Sequence, residues 1–159
     1  MIDCHPPILE TRRLVWSDES ACEAYARDLA AQPGVGQAFI ELQGPLGAGK
    51  TTFVRHLLRA LGVTGRIKSP TYTVMEPYLL ADGSEAAHFD FYRFSDPREW
   101  LDAGFREVFE RPGLKLAEWP AHAAGLLPVP DLRLLIEPDD TLRTVTVQAH
   151  TALGKALLA

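Results

Sequence analysis

The stretch GPLGAGKTT, residues 44–52, decides the fold prediction for this chain. It places Gly44, four further residues, Gly49, Lys50 and Thr51 in the order of a phosphate-binding loop. Glycines let such a loop wrap so that backbone N–H groups point at phosphate oxygens, and the helix that follows adds its positive end. We therefore expect Lys50 to reach the β- and γ-phosphates of a nucleotide and the Thr51 hydroxyl to lie on Mg²⁺.

The sequence on either side of this loop has the structure that the loop requires. AFIEL (38–42) predicts a strand that leads into it. KTTFVRHLLRALG (50–62) carries apolar residues at helical spacing, and Gly62 is a natural helix end. The alternative is a glycine-rich turn that matches the motif by chance. The strand–loop–helix context favours nucleotide binding.

The rest of the chain predicts alternating strands and helices. Ser17 or Asp18 is expected to cap a helix that runs to about Gln32, and Asp82-Gly83 predicts the turn of a β-hairpin. The remaining predicted elements are a strand in RRLVWS (12–17), a helix from DPREWLDAGF (96–105), a strand in GLKLAEW (113–119), a hairpin of DLRLLIEP and LRTVTVQAH, and a terminal helix in TALGKALLA. These patterns predict one α/β domain over residues 1–159, with residues 1–12 as a candidate flexible extension.

Composition and charge limit the partners and the compartment. The 159 residues are 47% hydrophobic and 23% charged, and the net charge of −5 argues against a broad basic surface for nucleic acid. A local basic groove, or contact with nucleic acid through a partner, stays open. Cys4 and Cys22 are too few for a disulfide scaffold. No signal-peptide or transmembrane pattern occurs, so we expect a cytoplasmic protein with reduced thiols.

No Asp-x-x-Gly and no guanine-specifying lysine motif occurs, so ATP is the expected nucleotide.

Two acidic residues are candidates for the chemistry at the phosphates. Glu118 follows the β-prone GLKLA, and alternation in HFDFYRF puts His88, Asp90 and Tyr92 on one face. Hydrolysis or transfer needs such a carboxylate near the metal or the nucleophile. The alternatives are a solvated strand-end carboxylate for Glu118 and a surface ion pair, for example with Arg93, for Asp90.

The third unusual stretch is KSPTYT, residues 68–73. Pro70 holds Ser69 extended, and hydroxyl groups follow at Thr71, Tyr72 and Thr73. Such a segment is able to sense a γ-phosphate as a switch loop does. The residues alone favour the simpler alternative, a loop that enters a strand.

Taken together, GPLGAGKTT, KSPTYTVMEPY, HFDFYRF, DPREWLDAGF and EWPAHAAGLLP resemble the TsaE (formerly YjeE) family in order and spacing. The resemblance runs from about Leu14 to the final helix. It implies a P-loop NTPase-like three-layer sandwich whose central, mostly parallel sheet is flanked by antiparallel strands. It also implies a weak ATPase that uses ATP and Mg²⁺ and acts with the TsaB and TsaD proteins. In that family these proteins attach threonylcarbamoyl to the adenosine beside the anticodon, and ATP hydrolysis by this chain would support their turnover.

The resemblance also implies roles for individual residues. The chain would contact tRNA only indirectly, through the complex. We expect no membrane partner and no DNA partner. Glu118 would be the second metal-side carboxylate beside Thr51, and Asp90 would support hydrolysis with Lys50. Ser69, Pro70 and Thr71 would form the switch-like loop. Trp119 is a second-tier candidate for partner contact or for packing near the nucleotide. The nucleotide-binding residues would be Glu19 (near the adenine), Leu46, Gly47, Ala48, Gly49, Lys50, Thr51 and Thr52.

Two other functions stay open at this point. A small-molecule kinase shares the phosphate-binding loop but needs a mobile arginine-bearing lid, for which Arg93, Arg98, Arg106 and Arg111 are the candidates. A non-enzymatic scaffold would use ATP only to order the switch-like loop for its partners.

Overall fold

The computed structural model describes residues 6–159, whose elements surround one seven-stranded sheet. The strands of this part of the chain are β1 (Glu10–Trp16), β2 (Phe39–Gln43), β3 (Met75–Leu79), β4 (Glu85–Asp90), β5 (Leu114–Glu118), β6 (Leu132–Asp139) and β7 (Leu142–Ala149). Its α-helices are α1 (Glu19–Ala30), α2 (Lys50–Ala60), α3 (Pro97–Asp102), α4 (Phe105–Glu110) and α5 (Ala152–Leu157). Short 3-10 helices span Val35–Gln37 and Pro120–Ala123.

The sheet has a parallel centre and antiparallel ends, as predicted. Its strand order is β1-β7-β6-β2-β5-β4-β3. The neighbours β6–β2, β2–β5 and β5–β4 are parallel, whereas β1–β7, β7–β6 and β4–β3 are antiparallel. Because β2, β4 and β5 run in the same direction, their carboxyl ends meet at one edge, where ligands of open α/β sheets bind.

Helices pack on both faces of the sheet and form the three layers. Ile40 of β2 packs with Phe53 and Leu57 of α2 in one core. Phe39, its neighbour in the strand, faces the opposite core with Trp100 and other aromatic residues of β4, α3 and α4. This division follows from the alternation of side chains along a strand. None of the helices within residues 6–159 has the length and apolar character needed to cross a bilayer.

Local sequence signals explain most of the helix boundaries. The Asp18 carboxylate accepts a hydrogen bond from the Ala21 N–H at 2.9 Å and caps α1. Asp96 caps α3 in the same way, and Pro97 occupies its first turn. The predicted helix in residues 96–105 ends at Asp102, because Gly104 adopts a left-handed conformation (φ +73°) before α4 starts.

Two predicted boundaries differ from the structure. Strand β1 starts at Glu10 and pairs with β7 from there, so residues 10–12 belong to the sheet rather than to an extension. Residues 1–5, including Cys4, lie outside the described part. Strand β4 ends at Asp90, so Tyr92 does not share the strand face of His88 and Asp90 and is exposed at 41%. Cys22 is a free, buried thiol.

Candidate active site

The phosphate-binding loop joins β2 to α2, and its glycines adopt conformations that other residues avoid. Gly47 and Gly49 have φ values of +78° and +105°. A Cβ at Gly44 would collide with the Ile136 carbonyl oxygen of β6. The loop therefore needs glycine at Gly44 for close approach to the neighbouring strand and at the other two positions for a left-handed backbone.

Lys50 starts α2 and folds back over its own loop. Its ammonium donates hydrogen bonds to the Gly44 and Pro45 carbonyls, the latter at 3.1 Å. Nζ also lies 4.1 Å from the centre of the Trp119 ring, a cation–π contact. Burial lowers the pKa of Lys50, and the charges of Glu118 and Asp90 oppose that shift. The positive charge expected at the phosphates is thus present in the loop, close to two carboxylates.

Glu118 ends β5 and is bonded to the start of α2. The Thr51 hydroxyl lies 2.9 and 3.0 Å from its two carboxylate oxygens. On the other side, His88 Nε2 lies 2.7 Å from Glu118 Oε2. Glu118 is only 2% exposed, so the alternative of a solvated strand-end carboxylate is wrong. The structure brings Thr51 and Glu118 together as the family resemblance implied.

Asp90 ends β4 and is the register partner of Glu118. It is buried, and its carboxylate accepts a hydrogen bond from the Tyr92 N–H at 3.0 Å. Burial raises the pKa of Asp90, while the Tyr92 N–H lowers it and the Glu118 charge raises it further. The alternative of an ion pair with Arg93 is wrong, because within residues 6–159 the Arg93 guanidinium lies 4.7 Å from the Tyr72 ring centre instead.

Two cavities adjoin the phosphate-binding loop and share Ala48, Gly49, Thr52 and Arg143 in their walls. The larger, of about 430 Å³, also contains the remaining predicted phosphate-side residues: Leu46, Gly47, Lys50, Thr51, Ser69, Thr71, Asp90, Glu118 and Trp119. The smaller, of about 220 Å³, contains Glu19. The Glu19 carboxylate is 3.0 Å from His56 Nε2 and stays largely exposed. All predicted site residues except Pro70 therefore line one of these two adjoining cavities.

The predicted switch-like loop forms one wall of the larger cavity. Ser69 and Thr71 hydroxyls are hydrogen-bonded to each other at 2.9 Å. Pro70 is buried, and its carbonyl accepts a hydrogen bond from the Val74 N–H at 2.8 Å. Val74 itself has φ +68°, which is strained for a β-branched residue. The loop is thus next to the site, and whether it switches stays a prediction.

The oxygen atoms of Thr51 and Glu118 are of the kind that Mg²⁺ prefers. Magnesium that binds with a nucleotide takes one or two protein oxygens and completes its shell with phosphates and water. A hydroxyl and a carboxylate beside a phosphate-binding loop fit that requirement. Within the described residues no group of three or more His, Cys, Asp or Glu side chains forms a separate metal cage.

Known proteins resemble this chain in sequence. Residues 16–145 match the family described as threonylcarbamoyl adenosine biosynthesis protein TsaE. The chain belongs to the TsaE family. It is 41% identical to the tRNA threonylcarbamoyladenosine biosynthesis protein TsaE of Haemophilus influenzae over 76% of this chain and 75% of that protein. Its identity to the Bacillus subtilis TsaE is 35%, over 89% and 85% of the two chains.

A solved structure shares the fold of this TsaE-family chain. The crystal structure of Bacillus subtilis YdiB superposes with a TM-score of 0.74 at 26% identity and covers 94% of this chain and 92% of its own. The predicted family membership and fold class are confirmed.

Sequence reasoning missed one part of this TsaE-family site and placed another incompletely. Arg143 of β7 donates from Nε to the Ala48 carbonyl at 2.8 Å and lines both cavities. No local signal could have marked it, since it lies 95 positions from Ala48 in the chain. His88 was assigned only to the face of Asp90. The alternation in HFD indicated that His88 faces the same way as Asp90. The sequence contained no signal for the strand pairing that brings Glu118 next to His88.

Proposed function

We propose that this chain is a P-loop ATPase that binds Mg-ATP in the two cavities and hydrolyses it to support the TsaB–TsaD complex in threonylcarbamoyl modification of tRNA. The observation that carries the proposal is the hydrogen-bonded pair of Thr51 and Glu118 directly beside Lys50. These three groups and the loop N–H groups are the parts that phosphoryl transfer by P-loop enzymes requires.

Each residue has a distinct task in the proposed reaction. The Lys50 ammonium would leave its loop carbonyls and pair with the β- and γ-phosphates. Bound with the nucleotide, Mg²⁺ would neutralise phosphate charge, with Thr51 and Glu118 as its protein-side groups. Asp90 would orient the attacking water as an adjacent carboxylate. The base would extend toward Glu19 in the smaller cavity, which adjoins the larger one at Ala48 and Gly49.

The structure offers less support for the kinase alternative. Of the four candidate lid arginines, Arg93 is the one that lines the larger cavity within the described residues. Arg98 pairs with Asp96 on α3, and Arg106 pairs with Glu110 on α4. We therefore favour water as the phosphate acceptor, and a protein complex in the cytoplasm as the target of the ATPase.

Phosphate release from Mg-ATP tests the proposal, measured with the chain alone and with a TsaB–TsaD pair. We expect slow release alone and clear stimulation by the pair, and both should be lost in Lys50→Ala. Binding of ATP without stimulated release would contradict the ATPase and leave the nucleotide-gated scaffold. Transfer of phosphate to a metabolite instead of water would identify a kinase.

A further inference from the structure

We propose that His88 is a positioning residue that holds the Glu118 carboxylate toward Thr51, an inference that rests on the nucleotide-binding function proposed above. The contact joins His88 Nε2 to Glu118 Oε2 at 2.7 Å, and the two side chains are 0% and 3% exposed. A hydrogen bond this short between two buried groups fixes the orientation of both.

The chemistry of the two groups determines which of them donates. An ionised carboxylate only accepts hydrogen bonds, so the proton of this contact belongs to His88 Nε2. The other ring nitrogen, Nδ1, is buried and has no hydrogen-bond partner in residues 6–159. Within the described residues, the Glu118 contact is therefore the hydrogen bond that orients the ring.

The sheet gives His88 a rigid base for this task. His88 lies inside β4, where Glu76 of β3 and Leu116 of β5 are its register partners on either side. Glu118 lies two residues beyond Leu116 on the same strand, so the backbones of both members of the contact are held by the sheet. Neither backbone is able to move toward the other or away from it without disturbing strand pairing.

Two contacts together set the orientation of the Glu118 carboxylate. Oε2 is 2.7 Å from His88 Nε2, and Thr51 Oγ1 lies 2.9 Å from Oε1 and 3.0 Å from Oε2. Without the imidazole donor, the carboxylate loses one of these two contacts and its orientation beside Thr51 is less fixed. Groups that orient a metal-side ligand in this manner change metal affinity or activity by about 10–100-fold when they are removed.

Two variants of similar length separate positioning from packing. His88→Gln keeps an N–H donor at about the reach of Nε2, whereas His88→Met fills similar space without a donor. The measurement is ADP affinity by calorimetry, with saturating Mg²⁺ and with a chelator. We expect both variants to bind ADP normally without Mg²⁺. His88→Met should lose about tenfold of the Mg²⁺-dependent gain in affinity, and His88→Gln should keep most of it.

Several results would overturn the inference. The contact only fills the core if His88→Met keeps the full Mg²⁺-dependent gain, or if His88→Gln loses as much of it as His88→Met does. If His88→Met does not fold in a thermal melt, His88→Asn replaces it, because its shorter amide matches Nδ1 and does not reach Glu118. Failure of the unmodified chain to bind ADP at all would overturn the proposed function, and this inference with it.

Discussion

Asp90 and Glu118 are register partners at the carboxyl ends of the parallel strands β4 and β5, so two carboxylates separated by 28 positions in the sequence meet at one edge of the sheet. Leu42, near the end of β2, is the partner of Glu118 on its other side. The phosphate-binding loop starts two residues later, which brings Lys50 and both acids to the same place.

Asp90→Asn is expected to reduce hydrolysis without weakening nucleotide binding. The amide keeps an oxygen for the Tyr92 N–H but loses the charge, and general-base groups contribute about 10²–10⁴-fold to rates. Because burial raises the pKa of Asp90, the charged form is disfavoured in the folded state and the neutral amide should not lower thermal stability. Phosphate release, ADP affinity and melting temperature are compared with those of Asp102→Asn, an exposed acid of α3. A lower melting temperature with unchanged turnover would show that Asp90 is structural.

Lys50→Ala is expected to weaken binding of both ATP and ADP by at least about tenfold, because hydrogen bonds to charged groups contribute about 1.5–3 kcal/mol. Lys155→Ala removes an exposed lysine of α5 and is the matched control for net charge. Equilibrium binding with a fluorescent nucleotide measures the effect. Equal affinities of the two variants would refute the assignment of the phosphate-binding loop.

Gly44→Ala and Gly47→Ala form a matched pair for the backbone of the loop. Both positions have positive φ, which strains alanine at either. At Gly44 the new Cβ also meets the Ile136 carbonyl and lies 3.1 Å from the Ala48 Cβ, whereas at Gly47 it meets nothing within 4 Å. Urea unfolding should therefore show the larger loss of stability for Gly44→Ala. Equal losses of stability in the two variants would mean that the Ile136 backbone moves aside without a measurable loss of free energy.

The Cys22 thiol is expected to resist alkylation in the folded chain. Burial, followed by the charges of Glu19 and Glu23, raises its pKa from 9.0 to about 12. Since the thiolate is the reactive form, a higher pKa leaves less of it at pH 8. Iodoacetamide should label the Cys22 peptide at least about a hundredfold more slowly in the native chain than in denaturant, as mass spectrometry would measure. Comparable alkylation rates in the native and denatured chain would show that local opening around α1 readily exposes Cys22.

Local signals predicted the elements well but their ends less well. The glycine spacing, the Asp18 cap and the Asp82-Gly83 turn each act within a few residues, so the loop, α1 and the β3–β4 hairpin were found. The end of β4 at Asp90 was missed, because the alternating pattern continues to Tyr92, beyond the last register pair of Asp90 with Glu118. The Phe91 N–H still donates to the Glu118 carbonyl at 3.0 Å, and β5 ends at that residue.

Contacts across the sheet explain what the residues alone left undecided. On the pattern alone, Glu118 was as compatible with a solvated strand end as with a metal-side role, and only the family resemblance favoured the second. The structure distinguishes them because β5 lies between β2 and β4. That strand order buries Glu118 between Thr51 and His88, and no spacing within five residues of Glu118 encodes it.

Residues close together in the chain were enough to predict the phosphate-binding loop, the alternation of strands and helices, and the family, because glycine conformations, caps and apolar periods act over short distances. Which side chains share the site follows instead from how the sheet is assembled. Strand order and parallel register place Asp90 beside Glu118, His88 against its carboxylate, and Arg143 of β7 on the loop carbonyls. Those neighbours come from hydrogen bonding between strands far apart in the chain, which a local pattern cannot specify.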